Sequence, residues 1–199
     1  MPRLRIHFSK RGYACFISHI DLPILFSRAA RRAGLRPEQT QGFSPHPRTA
    51  LGPPLPVGVV GLDEPADFWF LDWGETSVED WGRAMPEGLA ILDAREVDGV
   101  SLHKLCQAAE YLVRPLIEVS LPEMALALAA AMGETGPVLD IAEQEGEIRL
   151  VVSDIERSSA SKMVKGLVAA GLICGWGDLA IVRAGVGLWD HDNKQVVRI

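Results

Sequence analysis

The sequence predicts an α+β fold made of two halves, each an antiparallel sheet with helices on one face. Three observations predict this fold. Apolar and polar residues alternate over several short segments, apolar residues recur at helical spacing in others, and the order strand, helix, strand, strand, helix, strand occurs twice in 199 residues. Residues 1–100 form the first predicted half and residues 105–199 the second, with a linker near Asp98 to Lys104.

The first half is predicted to begin with a strand that leads into a helix. Arg3 to Phe8 alternates polar and apolar residues with the period of a half-buried strand, and Tyr13 to Ile17 is predicted to extend it. Ser18 and Asp21 have the spacing of an N-terminal capping box. The regular helix is therefore predicted to begin near Leu22, with apolar residues on one side and arginines on another.

Glycines and prolines organise the rest of the first half. Gly34 is placed to end the first helix. Gly42 to Pro56 holds five of the 13 prolines, so it is predicted to be a shaped loop and not a central strand. The remaining elements are a short strand around Arg48 to Leu51, a strand at Ala66 to Trp73, a short helix from Ser77 and a strand at Leu89 to Val97.

The second half repeats this order of elements. They are a strand at Ala109 to Ser120, a helix at Pro122 to Met132, strands at Val138 to Gln144 and Glu147 to Ser153, a helix at Ser158 to Ala170, a strand at Leu172 to Arg183 and a terminal hairpin around His191 to Asn193. Two split βαβ halves of this kind are ferredoxin-like, with both helices on one face of each sheet.

Composition narrows the class of protein. Hydrophobic residues at 48% and charged residues at 23% are ordinary for a globular protein with an apolar core. No apolar run reaches the about 18 residues of a membrane span, and no signal peptide is apparent, so we expect a cytoplasmic protein that does not bind membranes. Cys15, Cys106 and Cys174 are isolated from one another. We therefore expect no disulfide framework, no metal and no cofactor in this chain.

Charge is distributed unevenly along the chain. Residues 1–55 contain nine Lys and Arg against two acidic residues, a net charge of +7, and the remaining residues carry −13. A basic segment on an acidic body predicts a surface directed at phosphates or at an acidic protein. The alternative is that the two parts of the chain attract each other.

Five arginines and one aromatic residue are the candidate RNA-binding or phosphate-binding residues. Guanidinium groups bind phosphate oxygens in pairs, and several on one face bind RNA without reading its sequence. Phe43 is a candidate platform on which a base stacks, whereas Trp69 is predicted to belong to the core. The candidate arginines are Arg28, Arg31, Arg32, Arg36 and Arg48. A solvated basic face is the alternative interpretation.

His19 and His46 are the candidate catalytic residues. His46 lies in S-P-H-P, between two prolines that fix its backbone. His19 lies at the start of the first helix, where the positive end of the helix favours the neutral imidazole that acts as a general base. Together with Asp21 they would form either an acid–base pair or a metal site, and the lack of H-x-x-x-H spacing or a cysteine pair disfavours the metal site. No Walker, G-x-G-x-x-G or G-x-S-x-G motif is present.

Four ordered motifs carry a resemblance to a known family. They are F-I-S-H-I-D-L from Phe16, R-A-A-R-R-A-G-L from Arg28, Q-G-F-S-P-H-P-R from Gln41 and P-L-P-V-G from Pro54. In these motifs the chain resembles the radical-SAM-linked proteins of unknown function, which occur alone or as the C-terminal part of cobalamin-binding radical SAM proteins. The resemblance implies a radical SAM protein as partner and no settled activity for the chain itself.

Three functional hypotheses remain open on the sequence. The first is an accessory protein, not itself an enzyme, that binds tRNA or rRNA or presents a substrate to a radical SAM enzyme in RNA modification or processing. The second is a metal-independent RNA-processing enzyme that uses His46 and His19. The third is a protein-docking module without nucleic acid. The sequence does not identify the RNA, the reaction or the oligomeric state.

Overall fold

The structure is a computed structural model that describes residues 2–133 and 138–199. These residues form nine strands and five α-helices. The strands are β1 (Arg3–Lys10), β2 (Thr49–Leu51), β3 (Val60–Trp69), β4 (Leu89–Glu96), β5 (Ala108–Pro115), β6 (Val138–Gln144), β7 (Glu147–Ser153), β8 (Leu179–Asp190) and β9 (Gln195–Arg198). The helices are α1 (Leu22–Arg32), α2 (Ser77–Arg83), α3 (Leu102–Leu105), α4 (Leu121–Gly133) and α5 (Ala160–Ala169). Short 3₁₀ helices occur at Gly12–Phe16, His19–Asp21 and Trp176–Asp178.

The chain divides into two compact units. The first comprises Met1–Val57 and Gly61–Lys104, and the second comprises Gly58–Val60 and Leu105–Ile199. In both units helices alternate with antiparallel strand pairs, so the predicted combination of α-helices and antiparallel strands is confirmed. No helix in the described part of the chain is both long and apolar enough to cross a membrane.

The strands of the first unit lie in the order β4, β1, β3, β2, and each neighbouring pair is antiparallel. Leu4 lies opposite Phe68 and Ile6 opposite Ala66, so the apolar residues of β1 and β3 face the same side. Helices α1 and α2 pack on that side. The apolar positions that the alternation of β1 predicts are therefore core positions, and all of them are buried.

Aromatic rings fill the core of the first unit. Trp81 of α2 packs edge-on against Phe26 of α1, Phe68 of β3 and Phe70, with ring centroids 5.1 to 5.8 Å apart. The indole Nε1 of Trp81 donates a hydrogen bond to the Phe26 carbonyl oxygen at 3.0 Å. The core therefore fixes α1 against α2, and with it the outer face of α1.

The other side of β1 is polar and buried. Arg5 donates two hydrogen bonds to Asp67 of β3, at 2.8 and 3.1 Å. His7 Nδ1 lies 2.7 Å from an oxygen of Asp63 on the same strand. Because a buried charge is tolerated only with a close partner, these pairs explain how charged residues alternate with core residues in β1.

Helix α1 begins and ends where the sequence predicts. It starts at Leu22, and the Ser18 hydroxyl donates to Asp21 at 2.5 Å just before it. At its end Gly34 has a φ of +81°, and the amide of Leu35 donates to the carbonyl oxygen of Ala30. This left-handed glycine and the backward hydrogen bond form the Schellman motif that ends many helices.

The predicted strand extension at Tyr13 to Ile17 is wrong. These residues belong to a 3₁₀ helix, Gly12–Phe16, and a turn after it. Ala14 and Cys15 are both buried although they are adjacent in sequence, whereas neighbouring residues of a strand would face opposite sides. The buried Lys10 links the end of β1 to the turn, because its Nζ donates to the Ile17 carbonyl oxygen at 2.7 Å.

The strands of the second unit lie in the order β8, β5, β7, β6, again with antiparallel neighbours, and β9 pairs with β8. The predicted terminal hairpin is confirmed, since Asp190 pairs with Gln195. The strand predicted at Leu172 to Arg183 instead begins at Leu179. Before it the chain turns, and the amide of Cys174 donates to the Asp178 carboxylate at 2.6 Å.

Candidate functional site

Two of the candidate arginines, Arg28 and Arg31, extend from α1 into solvent. Both are exposed, and residues three apart in a helix share a face. Among the described residues, none makes a hydrogen bond or ion pair with either guanidinium group. The opposite face of α1 is buried through Phe26, Ala29 and Ala30. The outer face of the helix therefore presents two cations that are available to a ligand.

Two further candidates, Arg32 and Arg36, are already hydrogen-bonded within the first unit. Arg32 donates to the carbonyl oxygen of Ala84, after the end of α2, at 2.6 Å. Arg36 donates through its Nε to Asp72 at 2.7 Å, and its backbone amide donates to the other oxygen of that carboxylate. These hydrogen bonds hold the pKa of Asp72 below its ordinary value. Arg32 therefore links α1 to the segment after α2, and Arg36 links the segment after α1 to the segment around Asp72.

Arg48 is also engaged. Its Nη1 lies 3.2 Å from both carboxylate oxygens of Glu38, and its guanidinium carbon lies 4.5 Å from the centre of the Trp69 ring. Trp69 is half-buried and in cation–π contact with Arg48, and contrary to the prediction it is not among the core residues. The backbone amide of Arg48 also donates to the Glu38 carbonyl oxygen. Arg48 therefore joins the two ends of the segment that runs from Glu38 to Arg48.

Phe43 lies at the tip of a closed loop. Its relative exposure is 112%, so the ring contacts solvent on all sides. The base of the loop is closed by Thr40 and His46, because the Thr40 amide donates to the His46 carbonyl oxygen at 2.8 Å and the His46 amide donates to the Thr40 hydroxyl at 3.2 Å. We call residues 40–46 the Phe43 loop. It holds an aromatic ring away from the protein surface.

His46 is part of that closure. Its Nδ1 lies 3.1 Å from the Thr40 hydroxyl and 3.3 Å from the carbonyl oxygen of Ser44. The residue as a whole is exposed. The two prolines that flank His46 restrict its backbone, and this hydrogen bonding restricts its ring as well. The position of His46 is therefore explained by the shape of the loop.

His19 lies in a different place, at the wall of a small recess. The recess has a volume of about 10 Å³, which is room for one water molecule, and the buried Lys10 and Glu64 also line it. The loop around Gly52 to Leu55 closes another side. Because His46 is not among the lining residues, the two histidines do not share this recess.

Sequence patterns miss Lys10 and Glu64. Lys10 stands in K-R-G, which is typical of a turn, and Glu64 precedes a proline, which is typical of a loop. In the structure both belong to strands: Glu64 lies opposite Phe8, and Lys10, two residues beyond Phe8, lines the same recess as Glu64. The alternation of β1 predicts Lys10 on the same side as Phe8 if the pattern is extended two residues beyond Phe8. No comparable pattern predicts Glu64.

Other chemistry is limited in the described part of the chain. Burial raises the pKa of the Cys15 thiol, so this cysteine is a poor nucleophile at neutral pH. Within residues 2–133 and 138–199 no group of three or more His, Cys, Asp or Glu is placed to hold a metal ion. The strongest arrangement for a ligand is therefore the outer face of α1 together with the Phe43 loop.

Comparisons with known proteins place the chain in a family. Residues 3–170 match the family described as "Uncharacterized protein conserved in bacteria (DUF2344)". The chain belongs to DUF2344. No curated protein shows significant similarity to this DUF2344 chain. Among solved structures it is similar to one titled "Crystal Structure of an Unknown Protein from Galdieria sulphuraria", with 12% identity over 94% of this chain and 99% of that chain, and a TM-score of 0.29.

Proposed function

We propose that this DUF2344 protein is an accessory protein, not itself an enzyme, that binds RNA and presents it to a radical SAM enzyme in RNA modification or processing. The observation that carries the RNA-binding part is the pair Arg28 and Arg31, which are exposed on one face of α1 without a partner among the described residues. The link to a radical SAM enzyme rests on the resemblance of four sequence motifs to radical-SAM-linked proteins. The proposed cytoplasmic location rests on the expectation from composition.

The arginine pair suits a phosphate backbone. Each guanidinium group donates several hydrogen bonds in a fixed plane, so two of them on one helix face contact neighbouring phosphates. Such contacts carry affinity without sequence readout. The excess of basic residues in residues 1–55 supports attraction of a polyanion to this end of the chain.

Phe43 suits an unpaired base. Polar residues surround it in the loop, including Gln41, Ser44 and His46. An exposed aromatic ring can serve as a platform on which a base of single-stranded RNA stacks, and such stacking contributes about 1–3 kcal/mol for each base. In this proposal His46 is a positioning residue, because it closes the loop that presents Phe43.

The strand orders support a further part of the proposal, that each unit is a ferredoxin-like half. In both units the first strand of the unit lies between the third and the fourth, and the second strand is outermost. The helices connect strands that are separated by one neighbour, as in a split βαβ unit. A crystal structure of either unit with a different strand order would contradict this.

RNA binding is tested with the arginine pair. Labelled tRNA and rRNA stem-loops are titrated with wild-type protein and with an Arg28→Ala/Arg31→Ala variant in about 50 mM salt. We expect the variant to bind at least about tenfold more weakly. The slope of log K against log salt concentration should become less negative by about two, about one for each lost phosphate contact. The matched control is Lys162→Ala/Lys165→Ala on α5, which should bind as the wild type does. Absence of binding, or equal loss in both variants, would contradict the proposal.

Phe43 is tested separately. A Phe43→Ser variant should bind single-stranded RNA about tenfold more weakly and duplex RNA equally well, because only unpaired bases reach the ring. The loop should remain closed, since the side chain of Phe43 contributes to none of the hydrogen bonds that join Thr40 and His46. Equal weakening for both RNA types would instead show that the ring has no stacking role.

The residue types around His19 favour a second candidate function, metal-independent RNA cleavage. An imidazole beside a buried lysine and a buried glutamate has the residue types of general acid–base catalysis. Wild-type protein is incubated with labelled RNA in the presence of a metal chelator, beside His19→Ala and His46→Ala variants. Cleavage that His19→Ala abolishes supports this candidate, and no cleavage by the wild type removes it.

A further inference from the structure

Large apolar side chains are exposed in a short segment of the first unit. Their relative exposures are 92% for Tyr13, 67% for Phe16, 80% for Ile20 and 49% for Ile24. They lie on successive turns, from the 3₁₀ helix Gly12–Phe16 through His19–Asp21 to the start of α1. We call these four residues the apolar row. A concentration of this kind marks an interaction surface more often than an ordinary monomer surface.

The backbone beneath the apolar row is held in place. The amide of Arg11 donates to the carbonyl oxygen of Gly88 at 2.8 Å, and the thiol of Cys15 donates to the carbonyl oxygen of Lys10 at 3.3 Å. Ala14, Cys15 and Leu22 occupy the inward positions of the same segment. The exposed side chains therefore have no space to turn inward, and the surface is formed before any partner binds.

An open recess adjoins one end of the row. It has a volume of about 380 Å³ and is lined by Arg11, Gly12, Tyr13, Glu87 and Gly88. A recess of this size receives one large side chain of a partner. Protein interfaces typically centre on such an anchor, with neighbouring residues that exclude water around it.

The side chains of the row favour a protein over RNA as the occupant. Ile20 and Ile24 are aliphatic and offer no flat ring for a base, whereas they pack well against the apolar face of a helix. Two aromatic and two isoleucine side chains offer on the order of 500 Å² of apolar area. Each partner in a standard protein interface buries about 800 Å², so the apolar row would supply more than half of one partner's buried area.

The charges around the row favour an acidic partner. Arg11 lies beside the recess at one end, and Arg28 and Arg31 lie beyond Ile24 at the other. None of these three guanidinium groups has a hydrogen-bond or ion-pair partner among the described residues, and Glu87 is the acidic residue that lines the recess. Glu87 offsets Arg11 at the recess, so the net positive charge lies at the Arg28 and Arg31 end, where it complements a segment that is apolar at its centre and acidic at that flank.

We infer that the apolar row is a docking surface for an amphipathic protein helix with leucine-like residues on one face and Asp or Glu beside them. This inference does not rest on RNA binding. It assigns the N-terminal part of the first unit to a protein partner, which would share Arg28 and Arg31 with the proposed RNA surface, and it leaves the Phe43 loop to a different ligand.

The test uses two synthetic helical peptides of about 18 residues. Both carry leucine at i, i+3, i+4 and i+7, and the flanking positions are glutamate in one peptide and lysine in the other. Binding of each labelled peptide is measured by fluorescence anisotropy against the wild type and a Phe16→Ser/Ile20→Ser variant. The matched control is Leu116→Ser/Leu126→Ser, which removes two exposed apolar side chains from the second unit.

We expect the acidic peptide to bind the wild type and the control variant equally, and to bind Phe16→Ser/Ile20→Ser at least about tenfold more weakly. The basic peptide should bind the wild type at least about tenfold more weakly than the acidic one. No binding of the acidic peptide, equal binding of both peptides, or no effect of the Phe16 and Ile20 substitutions would overturn the inference. Loss of stem-loop RNA binding in Phe16→Ser/Ile20→Ser would also overturn it, by assigning the row to nucleic acid.

Discussion

Arg149 in the second unit and the pair Arg28 and Arg31 in the first show two different uses of a guanidinium group. Arg149 lies on β7 between two carboxylates, with Asp140 at 2.6 Å and Glu110 at 2.7 Å, and its side chain is largely buried. Arg28 and Arg31 lie on the outer face of α1 and have no such partner among the described residues.

The comparison separates a structural arginine from a binding arginine. The donors of Arg149 are used by the fold itself, including one that reaches the carbonyl oxygen of Lys194 at 2.9 Å. The donors of Arg28 and Arg31 are unused, so a ligand that binds them displaces only water. Arg36 and Arg48 fall between these extremes, since each has one carboxylate partner but remains exposed.

The largest expected effect comes from removing Arg149. An Arg149→Ala variant leaves the carboxylates of Asp140 and Glu110 close together without their shared cation. We expect a loss of about 2–3 kcal/mol in the free energy of unfolding, measured by urea denaturation. RNA binding at a temperature where the variant is folded should not change. A loss below about 0.5 kcal/mol would contradict the assignment of Arg149 as a structural arginine.

The arginine pair of α1 should show the opposite response. In Arg28→Ala/Arg31→Ala we expect the free energy of unfolding to stay within about 0.5 kcal/mol of the wild type, because neither side chain supports another group. The measurement is the same urea denaturation that reports on Arg149→Ala. A clear destabilisation would mean that these arginines support the fold, which would contradict their assignment as binding arginines.

The smallest expected effect concerns Arg36 and Asp72. The hydrogen bonds from Arg36 lower the pKa of Asp72, so the ionised carboxylate is the favoured form in the folded protein. Stability from this pair is fully present above the ordinary carboxylate pKa of about 3.9, and it is lost as pH falls through the lowered value. In Arg36→Ala the pKa of Asp72, followed by NMR, should rise toward the ordinary value. An unchanged pKa would show that Arg36 is not its cause.

Local patterns in the sequence predict much of the fold. Strands β6 and β7 begin and end where the alternation places them, since Glu145 and Gly146 both have positive φ and form the tight turn between them. The Schellman end of α1 follows from Gly34 in the same way. Each of these features depends on residues within a few positions of one another.

Features that depend on distant residues are the ones that the sequence does not show. The acceptors of Arg32 and Arg36 lie 52 and 36 positions away, so the spacing of arginines along and just after α1 cannot distinguish a bound guanidinium from an available one. Lys10 and Glu64 line one recess only because β1 and β3 pair in one particular register. The arginine face is therefore predictable from periodicity, and the reduction from five available arginines to two is not.

The closure of the Phe43 loop has a consequence for how this protein can vary. The hydrogen bonds that close the loop join residues within the segment from Thr40 to His46, and Glu38 and Arg48 brace it from just outside. The residue at position 43 contributes nothing to these bonds. The residue at position 43 can therefore be replaced, which alters what the loop recognises, while the hydrogen-bonded loop around it stays unchanged.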